Sequence, residues 1–464
     1  MTATPSLETT LAHQRGNGNP EQQRAAGKAL RANHPRERLS EVVTRSDRDP
    51  VALLRSQDPA RVEHLVPVRW DRMLVSPFTF YRGTALLMAD DLAAGPSTDL
   101  VAQCCGDAHL GNFGIYNSPE RIQVFDINDF DETAVAPFEW DVKRLAASVA
   151  LAARHIGCDA PQTEAMVRAT VATYRTSIAE FAELSALELW HRHLDVSRIV
   201  ALAQSEGSKT TQKGVERLAA KAEQRTHLRS FDKLTTVVNG RRQFLDDPPL
   251  LERVTDNFST ELIADVLDRY AHTLLPERRL LFDRYRFVDA AIKVVGVGSV
   301  GTRCYVGLFE GEHEHDWLIL QMKQAMPSVL ARAGTTIRYA NEGERVVVGQ
   351  RVMQAVSDIF LGWTRNPELD HDFLVRQLHD GKGAVDLDSI STEGLRLYAP
   401  LCAQLLARGH ARSGCAARIA GYIGKGERID EVLTAFSLAY ADLTEADYDT
   451  AIAARKAGRI PSAQ

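Results

Sequence analysis

The sequence predicts an α+β protein of two lobes, a mainly helical large lobe and a small lobe built on an antiparallel sheet. Three observations predict it. From Asp141 to about residue 290 apolar residues recur at helical spacing: Leu145, Val149 and Ala152, then Val171, Tyr174, Ile178 and Phe181, then Leu262, Val266, Leu267, Tyr270 and Leu274 behind the start signal Ser259-Thr260. Between 292 and 378 the character changes to short β-branched and aromatic runs, at 292–295, 303–309, 317–323, 359–363 and 373–378, which surround one helical stretch at 341–357. From Thr392 onward the pattern is helical again. The implied organisation is a polar N-terminal arm (1–50), a helical lobe (51–290), a β-rich lobe (291–385) and C-terminal helices completing the large lobe (386–464).

Within this frame each stretch has its reason. The arm is punctuated by Gly16, Gly18, Pro20, Pro35 and Pro50 and reads as loosely held, with one helical piece near 21–32. Residues 51–94 mix short helices with an extended piece at 78–83. Three further strands are expected at 100–105, 113–116 and 122–125, the last two separated by a turn through Asn117-Ser-Pro119. The 464 residues carry 44% hydrophobic and 25% charged side chains, enough for a large core. A net charge of −6 supplies no global field for nucleic acid or an anionic membrane. The six cysteines form no C-x-x-C pair and read as reduced, buried thiols. With no leader-like N-terminus and no apolar run of membrane length, the expected location is the cytoplasm.

Chemistry concentrates first in Gly106-Asp107-Ala-His109-Leu-Gly111-Asn112, a loop between two expected strands. Its Asp and Asn are spaced as in the catalytic loop of kinases, where the Asp receives the proton of the substrate hydroxyl and the Asn holds Mg²⁺. Beyond it lies Val124-Phe-Asp126-Ile-Asn-Asp129-Phe-Asp131-Glu132. A hairpin of that length returns a carboxylate beside Asn112, and Mg²⁺ takes hard oxygen ligands, often one or two carboxylates. Asp126 is the first candidate ligand; Asp129 and Asp131 compete with it, since Asp129-Phe130 also resembles the kinase Asp-Phe pair. His109 reads as a structural loop residue. Asp141, opening a helix, reads as a capping or loop-bracing residue.

The order of these pieces, with Pro137-Phe-Glu-Trp-Asp141-Val-Lys-Arg-Leu145 behind them, resembles that of aminoglycoside and choline kinases. The whole set is also similar to the bacterial family called domain of unknown function 2252. Where the phosphotransferase pattern usually has His before the Gly-Asp pair, this chain has Cys105.

A second constellation is Gly296-Val-Gly298-Ser299-Val-Gly301, a G-x-G-x-x-G behind a strand. A dinucleotide site needs a helix opening at the third Gly, whereas 302–311 has strand character. Strand, Gly turn, strand, turn and a strand ending in Lys323 is the kinase order. Glu342 or Glu344, on the following helix, is then the expected partner of Lys323. Because the Gly-rich loop here follows the catalytic loop, the resemblance implies a circularly permuted protein-kinase-like fold, with Leu405-Leu-Ala-Arg408-Gly-His410 packed under the catalytic strand. It implies ATP and Mg²⁺ as cofactors and phosphorylation of a small-molecule hydroxyl. Transfer of AMP and a non-catalytic nucleotide- or partner-binding module are the alternatives. Specificity is expected from the helical insert of roughly 150–285.

Overall fold

A computed structural model describes Leu7, Leu11 and residues 18–223, 227–248, 250–254, 260–294, 300–313, 315–334, 337, 339–378 and 383–463. Mixed α and β structure is found, and every strand pairing among these residues is antiparallel. The expected strands around the Asp107 loop form as β1 (Val101–Cys104), β2 (Phe113–Asn117) and β3 (Gln123–Ile127), joined by β4 (Ala134–Pro137). β1 pairs with β4, and β2 with β3, Phe113 lying opposite Ile127. The loop that carries Asp107 is thereby pinned between two short ribbons.

Two more strands, β5 (Thr235–Val238) and β6 (Arg241–Phe244), form a hairpin inside the stretch expected to be helical. Asn239 and Gly240 turn it, both at positive φ, which is the turn that matches the strand twist. A six-stranded sheet follows, in the order β11-β12-β10-β9-β8-β7. Its members are β7 (Leu251–Arg253), β8 (Arg286–Lys293), β9 (Cys304–Glu310), β10 (Trp317–Ala325), β11 (Gly362–Asn366) and β12 (His371–Gln377). The helix Glu342–Met353 links β10 to β11 in sequence and packs on β12, β11 and β10. Side chains alternate along β10: Leu318 and Leu320 join one apolar cluster with Tyr270 and Phe309, Ile319 another with Phe231 and Leu251. Lys323 shares the face of Ile319. Last, β13 (Gly383–Ala384) pairs with β2, tying the region after the sheet back to the β2–β3 hairpin.

The main helical layer is organised around the helix Phe138–His155, which packs against Ala160–Phe181, Thr392–Ser413 and Arg428–Lys456. Two expectations change here. Residues Pro77–Arg82 are helical rather than extended, because Ser76 and Thr79 form a reciprocal capping box and Pro77 sits at the first helical position. The helical piece of the N-terminal arm, Pro20–Ala29, is docked rather than loose. Gly27 lets it approach Ala416–Ile423 so closely that a Cβ there would lie 1.9 Å from the Arg418 carbonyl oxygen. Arg31 and Arg36 add hydrogen bonds to the carbonyls of Tyr422 and Ile423 at 2.8 and 2.7 Å.

The central helix also buries Lys143, its ammonium 4.1 Å from the centre of the Phe436 ring. Burial lowers its pKa to about 8, against the pull of Glu139 and Glu41. A base whose folded pKa is depressed destabilises the native state most at low pH; the deficit disappears as pH rises from about 8 past its ordinary 10.5. Lys143→Met should therefore stabilise the protein by roughly 2–3 kcal/mol at pH 7 and by much less at pH 10. Denaturant unfolding at the two pH values checks this; a variant less stable than the parent at pH 7 would refute it.

Candidate active site

The loop after β1 turns at Gly106, whose φ is +86°. A Cβ there would stand 2.1 Å from the Glu132 carbonyl oxygen, so only glycine admits both the left-handed turn and the close approach of the acidic run. Asp141 braces the turn: its carboxylate accepts from the backbone N–H groups of Cys105 at 2.8 Å and Gly106 at 3.0 Å. Behind Asp141 stands His410, with Nε2 at 3.3 Å from the carboxylate and Nδ1 at 2.7 Å from the Tyr174 hydroxyl. The segment 405–410 lies on the helix Thr392–Ser413, which packs against β1, and the Ser413 hydroxyl accepts from the Gln103 N–H. With Cys105 before the Gly-Asp pair, the loop is supported by Asp141, His410 and Tyr174.

Asp107 is oriented by Arg144, whose Nε donates to Oδ1 at 2.9 Å. Arg144 in turn donates to the Tyr81 carbonyl at 2.7 Å and stacks 3.8 Å over the Tyr81 ring. Burial raises the pKa of Asp107, against Arg144. The Asn112 side-chain N–H₂ donates to the Asp107 carbonyl at 2.8 Å, so oxygen is the atom this side chain can offer to the cleft. His109 accepts from the Gly111 N–H through Nδ1 at 3.0 Å. Burial, reinforced by Arg82 and Arg144, holds its imidazole well below the usual pKa and thus neutral.

A solvent-open cleft of about 940 Å³ runs past these residues. Asp107, His109, Asn112, Asp129, Asp131 and Glu132 line it on one side, Gln324 of β10 with Thr302 and Met326 beside the sheet on another, and residues between Gln57 and Leu86 on a third. Lys323, at the end of β10, is ion-paired with Asp131 and lies 3.8 Å from Asp129. The two halves of the chain therefore meet. Desolvation pushes the Asp129 carboxyl up, but the charges of Lys323 and Arg376 outweigh it and hold the group below its usual range. Asp131 is held up by burial and by Asp129, against Lys323. Lys323 is raised, its two carboxylates overcoming desolvation, and stays protonated. Burial pushes Glu132 up to about 7.

Other expected site residues are placed differently. Asp126 does not line the cleft: it is 1% exposed and bound by Arg408 at 2.7 and 2.8 Å and by the N–H groups of Ile127 and Ala355. Strand alternation sends it into the core between β3 and the helix Thr392–Ser413, while Asp129 and Asp131, beyond the strand, reach the cleft. Glu342 pairs with Arg345, and neither it nor Glu344 pairs with Lys323. From the same helix Arg345 instead clasps the acidic run and the end of the sheet, donating to the carbonyls of Asp131 at 3.0 Å and Met326 at 2.7 Å. Gly296, Gly298 and Ser299 lie outside the described residues. Gly301 is described at φ +85° and opens a turn followed by β9, not a helix. No described cleft residue comes from 150–285; residues 57–86 occupy that place, and no sequence signal marked Arg61, Arg82 or Arg144 for it.

The six cysteines are free thiols, and no described helix is long and apolar enough to cross a membrane. Comparison with curated proteins and with solved structures finds no match. The family model described as an uncharacterized protein conserved in bacteria, domain of unknown function 2252, matches residues 61–454. That span takes in the Asp107 loop, the acidic run, Lys323 and the Arg408–His410 support, and the chain belongs to this family.

Proposed function

We propose that this chain is an ATP- and Mg²⁺-dependent phosphotransferase acting on a small-molecule hydroxyl, with a circularly permuted protein-kinase-like fold. The observation that carries the reading is the meeting of Lys323, from the third strand of an antiparallel meander, with Asp129 and Asp131 in the cleft that Asp107 and Asn112 line. Phosphoryl transfer is mostly positioning and charge neutralisation, and this donor set fits both needs. Asn112, Asp129 and Asp131 offer the hard oxygens Mg²⁺ prefers. Lys323, already held by carboxylates and protonated, offers the cation for phosphate oxygens. Bound Mg·ATP supplies the phosphoryl group and neutralises its developing charge. Asp107, fixed by Arg144 and made more basic by burial, orients the acceptor hydroxyl and takes its proton. The order of three strands and a helix across 286–353, with the Gly-rich sequence 296–301 falling between the first two strands, supports the same reading. In place of a helix glutamate, Asp131 holds the lysine, so bound nucleotide would exchange the Lys323–Asp131 contact for phosphate.

A ligand that binds the native state alone stabilises it by mass action. Millimolar Mg·ATP should raise the melting temperature of the full chain, and EDTA should remove the shift. Incubation should release ADP, water serving as a slow acceptor; release of pyrophosphate identifies AMP transfer instead. No shift with ATP or GTP, under either Mg²⁺ or Mn²⁺, excludes the nucleotide site.

A further inference from the structure

The wall contributed by residues 57–86 carries cations but no acidic side chain into the cleft: Arg61 and Arg82 stand among Gln57, Gly83, Ala85 and Leu86. The charge is unlike what a site for a cationic amino sugar or quaternary amine needs. Arg61 is anchored, its Nη1 donating to the Val300 carbonyl at 2.6 Å. The side chain of Arg82, the last residue of the helix Pro77–Arg82, makes no hydrogen bond or ion pair among the described residues, and its Nε is buried without a partner. It rests on the catalytic loop, Nε 3.3 Å from where a Cβ on Gly111 would be. Burial lowers its pKa, and the nearest carboxylates acting on it, Asp107 and Asp388, pull the other way without reaching ion-pairing distance. A guanidinium half-buried in the cleft wall, with its Nε left unpaired, is costly to hold there unless an anion completes it. The nucleotide side of the cleft already has Lys323 against Asp129 and Asp131, with Arg376 acting on both carboxylates. Arg82 lies instead beside Asp107, where the acceptor hydroxyl must sit.

We infer that the acceptor is an anionic hydroxy compound, and that Arg82, assisted by Arg61, binds the carboxylate or phosphate it carries close to the hydroxyl that Asp107 activates. The inference rests on the phosphotransferase reading for the identity of the acceptor, but the anion site stands on Arg82 alone.

Calorimetric titration of the full chain, with and without Mg·ATP, tests it using glycerate and gluconate as carboxylate probes and glycerol phosphate and glucose 6-phosphate as phosphate probes. Glycerol, glucose and kanamycin are the neutral and cationic controls. At least one anionic probe should bind and the controls should not. Arg82→Gln should weaken that probe about ten- to a hundredfold, the worth of a charge-assisted hydrogen bond, and Arg82→Lys should keep part of the affinity. Neither variant should change Mg·ATP affinity. The inference is overturned if neutral or cationic compounds bind as well as the anions, if no anion binds in an Arg82-dependent way, or if Arg82→Gln weakens Mg·ATP itself. Anion binding that survives while Mg·ATP fails to bind would sink the phosphotransferase reading and leave the anion site standing.

Discussion

Asp126→Ala should destabilise the protein by roughly 3–5 kcal/mol, the cost of leaving a buried charge without its partner, and should leave Mg·ATP stabilisation of the remaining folded fraction intact. Arg408 is 2% exposed and donates twice to this carboxylate, and its Nε already lacks a partner. Removing Asp126 strands the guanidinium between β3 and the helix Thr392–Ser413, with the Met353 carbonyl at 3.0 Å and the more distant Arg192 carbonyl left to accept from it among the described residues. The Ala355 N–H loses its acceptor as well. The double change Asp126→Ala/Arg408→Met should recover much of the loss, because replacing both charges by apolar groups removes the desolvation penalty along with the attraction. Asp129→Ala should behave oppositely, keeping the unfolding midpoint near that of the parent and losing the metal-dependent shift. If Asp126→Ala keeps the midpoint and loses the Mg·ATP shift, Asp126 is the metal ligand.

That contrast marks how far the sequence could be read. The spacing from Asp107 to Asn112 and the β character around it placed this segment on a loop between strands, and it lies between β1 and β2. The acidic run was visible as a group, but which carboxylate enters the cleft was not. The choice depends on where β3 ends and on Arg408, 282 residues away, a partner that local pattern cannot reveal. Lys323 and its strand could be read from β character and the order of the strands and turns, while its expected partner, Glu342 or Glu344, could not: the helix Glu342–Met353 turns Arg345 inward, and Asp131 from the first half of the chain takes the lysine. Two local signals in the sequence do match the structure where the broader pattern does not. Val238-Asn-Gly-Arg241 is a hairpin turn, and Ser76-Pro77 with Thr79 is a helix start. Arg82 gave no sign, since an arginine closing a short helix is ordinary until the cleft beside it is known.

Asp107→Asn should reduce Mg·ATP turnover by about 10² to 10⁴-fold, the worth of a positioned general base, while Mg·ATP still raises the melting temperature. The amide keeps the size of the carboxylate but cannot take a proton. Arg144 would lose its charged partner yet keep the Tyr81 carbonyl and ring, so the fold should survive with a smaller loss than Asp126→Ala. The pH profile gives the more specific readout. A base must be unprotonated to act, so the rate should climb with pH through the Asp107 pKa. Burial raises that pKa against the downward pull of Arg144, which places the acid limb above the range of an exposed aspartate. Arg144→Gln removes the main opposing charge and should move the limb to still higher pH, whereas Asp107→Asn should abolish it. Wild-type turnover in Asp107→Asn would remove Asp107 from the chemistry, and a lost Mg·ATP shift would make it a nucleotide or metal ligand. Either result would leave the cleft, Lys323 and its carboxylates to be explained by binding without a base. An unmoved acid limb in Arg144→Gln would show that burial alone sets the basicity of Asp107 and that the arginine only holds its direction.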